Sequence, residues 1–259
     1  MESLENAFHV HHYHALKCFH ENDRQGIDRA IECGRMSVIR ELRVISPESS
    51  KIINQKLSQL RMLREIEQLS WAADSSKKKY PEILRRWNEH NISSISQFDH
   101  VEPILSQRIT MFRIRESLRT NADVQKAFFD TCLDLAKVAE SQGNFSVATR
   151  ALRPLELHQN LSTNLKNQLL YQDSLLTWMK GEQVIARHLL RSLIEKKDPK
   201  PSLKAKALRV YGDWMAETKS ENPQAVIQKY YLMSIEISEA IDELTSDVIE
   251  NLHDTQVGG

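Results

Sequence analysis

The segment ALRVYGDWMAETKSENP, residues 207–223, carries the clearest structural pattern in the chain. In it and just before it, apolar and small side chains recur at spacings of three and four residues, the periodicity of one α-helix face. These positions are Leu203, Ala207, Val210, Tyr211, Trp214 and Thr218. Because an aromatic stripe at helical spacing is usually core, we expect Tyr211 and Trp214 to be buried rather than to bind a ligand.

The end of this segment predicts a helix stop followed by a new helix. Asn222 is a favourable N-cap residue, and Pro223 suits the first helical position because its missing N–H needs no partner there. Helical spacing then resumes at Val226, Tyr230, Met233, Ile237, Ala240, Ile241 and Leu244. We therefore expect a hairpin of two amphipathic helices over residues 203–244.

The overall composition favours helices along the whole chain. Its 259 residues include only 7 glycines and 7 prolines, fewer than average usage, so turns are scarce. Good helix formers are abundant, and no alternating β-branched run suggests a strand. We predict an all-α fold.

Charge and cysteine content limit the classes of partner. The 35 Lys and Arg residues balance 35 Asp and Glu residues, so no overall field would attract nucleic acid or an anionic membrane. Cys18, Cys33 and Cys132 are far apart and lack C-x-x-C spacing, which argues against a disulfide framework or a structural zinc. With no signal core or bilayer-length apolar run, we expect an intracellular, soluble chain that binds protein, with no small-molecule substrate.

An internal repeat is visible at a period of 38 residues. Each copy has an amphipathic helix, a glycine turn and a second helix, and this second helix has a small residue five positions after the glycine. The matched pairs are Gly143 with Gly181, Ala148 with Ala186, Leu152 with Leu190 and Leu155 with Leu193. This period lies between those of tetratricopeptide and HEAT units, so we predict an irregular α-solenoid of antiparallel helix hairpins.

A polar, serine-rich stretch over residues 91–99 suggests the division within this array. Before it, residues 52–73 form one helical pattern with a charged outer face. We predict an N-terminal helical part at 1–97 and C-terminal helical repeats at 98–259. Pro154 is expected to end or kink the helix that contains it.

Five histidines crowd the first twenty residues, at His9, His11, His12, His14 and His20. On a helix, His9 and His12 form an i, i+3 pair, but no cysteine nearby completes a site. We predict no physiological metal and name His9 and His12 as the weak candidates.

Three arginines lie on a helix expected to begin near Pro103. Arg108, Arg115 and Arg119 are spaced i, i+7 and i+11. Because Glu116 interrupts the stripe and no aromatic residues are interleaved, we expect a solvated face, with a phosphate or acidic-peptide groove as the alternative. The same interpretation applies to the lysines at 77–79.

Catalytic motifs are missing from the sequence: it contains no glycine-rich phosphate loop, G-x-S-x-G elbow, H-E-x-x-H or kinase-type H-R-D or D-F-G signature. Carboxylate pairs such as Glu65 and Glu67 are read as ordinary helix-surface charges. We predict that the chain by itself is not an enzyme and needs no cofactor.

Several segments together resemble one family, the FAT domain of phosphatidylinositol-3-kinase-related protein kinases, of the ataxia-telangiectasia-mutated (ATM) type. LSQLRMLREIEQL at 57–69, EPILSQR at 102–108 and the glycine-turn helices around 143 and 181 match its pattern. The most specific match is the string at 207–223. The residues carried over as structural motif positions are Glu102, Pro103, Gly143, Trp178, Gly181, Tyr211, Trp214, Glu217, Asn222 and Pro223.

The resemblance implies that this chain is a fragment of a larger nuclear serine/threonine kinase of the DNA double-strand-break response. The chain would be part of the solenoid that positions and regulates a kinase domain, which uses ATP and a divalent metal and lies outside this sequence. Its partners would be that kinase domain and the remaining solenoid, with a homodimer as a further form. A truncated gene product and a partial gene model both fit the ending at Gly259.

A second hypothesis of another class stays open. A freestanding helical-repeat adaptor would bind peptides or proteins in its concave groove, and the 38-residue register supports it as well. The adaptor is expected to be a stable monomer at this length, whereas the fragment is expected to associate through an incompletely capped end.

Overall fold

The computed structural model describes residues 2–75, 80–89, 98–158 and 161–243. Within these ranges the chain is built from helices joined by short turns and contains no strand. The all-α class predicted from the scarcity of turn formers and the helical periodicity is therefore confirmed for the described part of the chain. None of the described helices combines the length and apolarity that a membrane crossing requires.

Contacts divide the chain into two compact units, Met1–Ala151 and Leu152–Gly259. The boundary between them falls inside a helix. The polar stretch from which the sequence predicts a division at 97/98 lies mostly outside the described residues, at 91–97, and that division stays a prediction.

The first unit consists of seven helices and the start of an eighth, among the residues described. They are α1 (Glu2–Glu21), α2 (Arg24–Leu42), α3 (Ser50–Ser75), α4 (Tyr80–Glu89), α5 (Phe98–Ile114), α6 (Glu116–Arg119), α7 (Ala122–Ser141) and α8 (Phe145–Glu156). Pro154 lies near the end of α8, which stops two residues later, so the predicted helix end is confirmed.

Helix α3 is the central element of this unit, because it packs against α1, α2, α4 and α5. Leu63, Ile66 and Leu69 are fully buried there, as their spacing predicts. Leu57, by contrast, is 52% exposed, so the buried face begins further along the helix.

The start of α5 differs from the sequence prediction. The helix begins at Phe98 rather than near Pro103, which lies inside it as the sixth residue. Proline at this position removes one intrahelical hydrogen bond, the one that an N–H there would donate to the Asp99 carbonyl, and the helix continues past it to Ile114.

The second unit continues with four helical elements in sequence. They are α9 (Thr163–Met179), α10 (Gln183–Glu195), α11 (Pro201–Glu217) and α12 (Pro223–Val226). Helix α12 runs on through a π-helical stretch (Ile227–Leu232) and then as α-helix over 233–243. We call this continuous run, residues 223–243, the C-terminal helix. Helices α9, α10, α11 and the π-helical stretch pack successively, which confirms the predicted hairpin.

Both predicted glycine turns adopt the same helix-ending geometry. Gly143 has φ +70° and Gly181 has φ +88°, conformations that glycine reaches without steric cost. Each glycine N–H donates to the carbonyl three residues back, and the next N–H donates to the carbonyl five residues back. This Schellman arrangement satisfies the last carbonyls of the helix and turns the chain into the next one.

A third copy of this turn occurs at Lys219, 38 residues after Gly181. Lys219 has φ +50°, and the same two hydrogen bonds close the end of α11. A lysine therefore holds a backbone conformation that an L-residue adopts only at an energetic cost. The repeat thus has three helix ends in register within the described residues.

The matched apolar positions of the first two copies are buried, as the 38-residue register predicts. Each of them is at most 1% exposed. They are Ala148, Ala186, Leu152, Leu190, Leu155 and Leu193.

Candidate functional site

The helix hairpin of α11 and the C-terminal helix contains the segment on which the most specific part of the family resemblance rests, residues 207–223. Pro201 opens α11 at the first helical position, and the buried side of the helix repeats at helical spacing. Its buried residues are Ala205, Ala207, Leu208, Tyr211, Gly212, Trp214 and Met215. The pattern that predicts this helix from sequence is therefore also its packing face.

Two aromatic pairs position this hairpin: one joins it to α9, and the other joins its own two helices. The rings of Trp178 on α9 and Trp214 on α11 are stacked, with centroids 4.3 Å apart and 4° between their planes. Tyr211 and Tyr230 contact each other at 5.1 Å with an interplanar angle of 60°. Tyr211 is 8% exposed and Trp214 is 5% exposed, so their predicted core role is confirmed.

Hydrogen bonds hold the tyrosines of the C-terminal helix in place. The hydroxyl of Tyr230 donates to Glu221 at 2.9 Å, and that of Tyr231 donates to Asp213 at 2.8 Å. Burial, and then the hydrogen bond to Glu221, raises the pKa of Tyr230 to about 12. This phenol is therefore protonated at neutral pH and serves as a packing and hydrogen-bonding group rather than as a base.

Gly212 allows the two helices of the hairpin to approach closely. A Cβ atom at this position would lie 2.9 Å from Cε1 of Tyr231 and 3.1 Å from Cβ of Tyr230. The second of these atoms is at the root of its side chain and has little freedom to move. A glycine in a helix interior costs helix propensity, and here the close approach explains its presence.

The turn between the two helices is formed as the sequence predicts. The Asn222 side chain accepts a hydrogen bond from the N–H of Gln224 at 3.1 Å, and Pro223 occupies the first helical position. Glu217, the last residue of α11, is exposed. These family-motif positions therefore form a helix end and restart.

Two further family-motif positions lie in the first unit, on α5. Glu102 accepts a hydrogen bond from the hydroxyl of Ser106 at 2.7 Å and lies 3.9 Å from the guanidinium of Arg150. Pro103 is half-buried in the helix interior. Neither residue is arranged for chemistry.

A buried ion pair at the centre of this unit has no counterpart in the sequence predictions. Arg108 donates to both carboxylate oxygens of Glu65, at 2.8 and 2.5 Å, and Arg61 donates to the same carboxylate at 3.1 Å. Arg108 and Glu65 are 5% and 2% exposed. The interpretation of both residues as solvated surface charges is wrong, because the partner lies 43 residues away in sequence and leaves no local pattern.

The predicted basic stripe is also absent as a single helix face. Helix α5 ends at Ile114, and Arg115 precedes the short helix α6, so Arg108, Arg115 and Arg119 do not share one helix. The guanidinium of Arg115 instead lies over the ring of Phe19 at 5.3 Å and donates to the Asn22 side chain.

The weak metal candidates on α1 are arranged around an aromatic ring. His12 stacks on Phe8, and its Nε2 lies 2.6 Å from Oε1 of Gln107. Because the Gln107 amide nitrogen donates to the Met62 carbonyl, its oxygen accepts and His12 Nε2 carries the proton. Burial lowers the pKa of His12, and His9 is exposed. Among the described residues no group of three or more His, Cys, Asp or Glu side chains could hold a metal.

Comparison of the sequence with known proteins points to one family. The FAT domain family model matches residues 1–253. The serine-protein kinase ATM of Sus scrofa is 24% identical over 260 residues, which covers 95% of this chain. The serine/threonine-protein kinase ATM of Drosophila melanogaster is 23% identical over 226 residues, 84% of this chain. The chain spans 8% of the length of each of these relatives. With nearly its whole length matched by the family model, the chain belongs to the FAT domain family.

Proposed function

We propose that this chain is a scaffold segment of an ATM-like serine/threonine kinase of the DNA double-strand-break response. In this role it positions and regulates a kinase domain located elsewhere in the same parent protein. That kinase domain would bind ATP and a divalent metal, and the parent would act in the nucleus. The chain itself would be non-catalytic.

The proposal rests on the contacts that the family-motif residues make in the structure. Trp178 and Trp214 stack, Gly143 and Gly181 form helix ends, and Asn222 caps the following helix. All of these roles fix how successive helices follow one another. A segment whose motif residues set the geometry of its helices fits a scaffold.

A surface on the C-terminal helix offers a place for the rest of the parent to bind. Ile227, Leu232 and Ile235 are 49%, 45% and 51% exposed. Large apolar side chains grouped on one exposed helix are typical of an interaction surface. We assign this surface to further helices of the same parent, because this chain spans only 8% of the length of the matched relative.

Binding of the purified chain to a fragment of an ATM-type relative tests the proposal. The fragment would contain the FAT helices that follow the matched segment together with the kinase domain, and binding would be followed by biolayer interferometry. We expect saturable binding that Leu232→Asp weakens. Val184→Asp is the matched control, because Val184 is 73% exposed on α10 of the same unit. Absence of saturable binding by the unsubstituted chain would contradict the scaffold role.

A further inference from the structure

Charge is segregated along the sequence of the second unit, although the whole chain has a formal net charge of zero. Residues 196–209, which we call the basic segment, contain six cationic side chains and one carboxylate, Asp198. The cations are Lys196, Lys197, Lys200, Lys204, Lys206 and Arg209. Residues 236–254, which we call the acidic segment, contain seven carboxylates and neither lysine nor arginine.

The basic segment forms the connection between α10 and α11 and the first half of α11. Five of its six cations are exposed, and Lys204 is partly buried. None of the six forms an ion pair with another described residue. Lys196 donates a hydrogen bond to the buried side chain of Asn167 at 3.3 Å, which is a neutral partner. Within the described chain, no carboxylate is therefore paired with this positive surface.

The packing of the hairpin brings the acidic segment alongside the basic one. Gly212 lies close to the ring of Tyr231. Nearer to the start of α11, the Ser234 hydroxyl donates to the Ala205 carbonyl at 2.9 Å, so the two helices run antiparallel. Because both helices rise about 1.5 Å per residue, the C-terminal helix passes the start of α11 near Ser238. A continuation of its axis leads toward the connection between α10 and α11.

A groove of about 310 Å³ between the two helices contains both kinds of charge. Lys206 and Arg209 line the groove from α11, and Asp242 lines it from the C-terminal helix. Ser202 and Ser238 also belong to its lining. The basic and the acidic segments therefore already face each other at this end of the hairpin.

We propose that the acidic segment continues across the basic one, so that residues 244–254 bind to the connection between α10 and α11. These residues lie outside the described part of the chain. Their carboxylates, at Asp247, Glu250 and Asp254, would accept hydrogen bonds from Lys197 and Lys200. A single exposed ion pair contributes little, whereas several opposite charges in a network contribute more. The contact would close the end of the α11 hairpin.

The distribution of charge favours this segment over nucleic acid as the occupant. Four exposed carboxylates lie on the described part of the C-terminal helix, at Glu236, Glu239, Asp242 and Glu243. A phosphate backbone that approached the lysines would also be repelled by these carboxylates. The basic segment contains no aromatic residue on which a base could stack. Residues 244–254 are also tethered to the same helix, which raises their effective concentration at the lysines.

Hydrogen exchange of the full chain tests the contact, with mass spectrometry of peptides from residues 244–254. Lys197→Glu with Lys200→Glu is expected to speed exchange of these amides about fivefold, because the opposite charges are lost. Arg29→Glu with Arg40→Glu, a pair of exposed charge reversals on α2, is the matched control and should leave the exchange unchanged. Raising the salt from about 0.05 to about 0.5 M should also speed exchange in the unsubstituted chain, because exposed charges are screened.

A charge swap separates a direct contact from a general effect of the substitutions. Asp247→Lys with Glu250→Lys should by itself speed exchange as much as the lysine variant does. Combining all four substitutions restores opposite charges and should return the exchange close to its original rate. Lys197 and Lys200 are exposed, and thermal melting checks that each variant is folded.

Four results would overturn the proposal. Exchange of residues 244–254 is the same in the lysine variant as in the unsubstituted chain, or the charge swap does not restore it. Slow exchange that is seen only at high protein concentration would mean that the acidic segment binds a second copy. Saturable binding of duplex DNA that Lys197→Glu with Lys200→Glu abolishes, measured by fluorescence anisotropy, would make the basic segment a nucleic-acid site. Because none of these measurements involves a kinase domain, their failure leaves the scaffold proposal untouched.

Discussion

The indole rings of Trp178 and Trp214 lie parallel, 4.3 Å apart between centroids, and join helix α9 to helix α11. Both helices also pack on α10, which lies between them in sequence. The stack therefore links the first and third helices of a three-helix group. Aromatic pairs contribute about 0.5–1.5 kcal/mol beyond the area that they bury.

A double-mutant cycle on this pair should show coupling. Trp214→Ala is expected to lower the free energy of unfolding by about 3–5 kcal/mol, because a buried ring is lost. Trp178→Ala should cost less, since Trp178 is only partly buried. The double variant should be more stable than the sum of the single losses implies, by about 0.5–1.5 kcal/mol. Additive losses measured by urea unfolding would show that the rings do not interact.

Substitutions at two of the three helix ends in register should change stability in opposite directions, because one end has glycine and the other has lysine. Gly181→Ala places a Cβ in open space but at φ +88°, so only backbone strain is added. We expect a loss of about 1 kcal/mol. Lys219→Gly removes the same strain and should raise the free energy of unfolding by a similar amount, seen by calorimetry as a melting temperature about 2–4 °C higher.

Lys219→Ala is the matched control for this comparison, because it removes the charged side chain and keeps the Cβ atom. Its melting temperature should stay close to that of the unsubstituted chain. If Lys219→Ala stabilises as much as Lys219→Gly does, the lysine side chain and not the backbone is responsible.

The buried pair of Glu65 and Arg108 should show the asymmetry of buried charges. Glu65 is 2% exposed, and in Arg108→Met its carboxylate would keep only Arg61 as a partner. We expect it to lower the free energy of unfolding by about 3–5 kcal/mol. The double variant Glu65→Leu with Arg108→Met should lose less than Arg108→Met alone, since no buried charge remains unpaired. A double variant less stable than the single one, by urea unfolding, would contradict this interpretation.

Glu140, in the last turn of α7, predicts a pH dependence of stability. Burial raises the pKa of its carboxyl to about 7. At a pH below the ordinary pKa of glutamate, the Glu140 carboxyl is protonated in both the folded and the unfolded chain. Between that pKa and about 7, it stays protonated only in the folded chain. The free energy of unfolding therefore falls as the pH rises through this window.

Glu140→Gln removes this titration. Relative to the unsubstituted chain, the variant should be equally stable near about pH 4 and more stable near about pH 8, on the order of 1 kcal/mol because the carboxyl is partly exposed to screening solvent. Urea unfolding at both pH values measures the difference. A difference that stays constant with pH would contradict the raised pKa.

The sequence predicts those features that depend on neighbours along the chain. The cap at Asn222, the turns at Gly143 and Gly181, and the buried stripe containing Trp214 all follow from residue type and spacing. The turn at Lys219 cannot be predicted from a glycine, because the residue there is lysine. Its position does follow from extending the 38-residue register from Gly181.

Features that depend on distant partners are not predictable in this way. Arg108 and Glu65 each have the local pattern of a surface charge, and only the packing of α3 against α5 brings them together. The decisive contact is tertiary, with no periodic signal in either segment.

Isolation of the native protein tests the central claim most directly. An antibody against this chain would be used to capture the protein from its own cells, followed by mass measurement and peptide sequencing. The scaffold account predicts one polypeptide many times longer than 259 residues that also yields peptides of a kinase domain. A 30.0 kDa protein without kinase peptides would contradict it and support a freestanding adaptor.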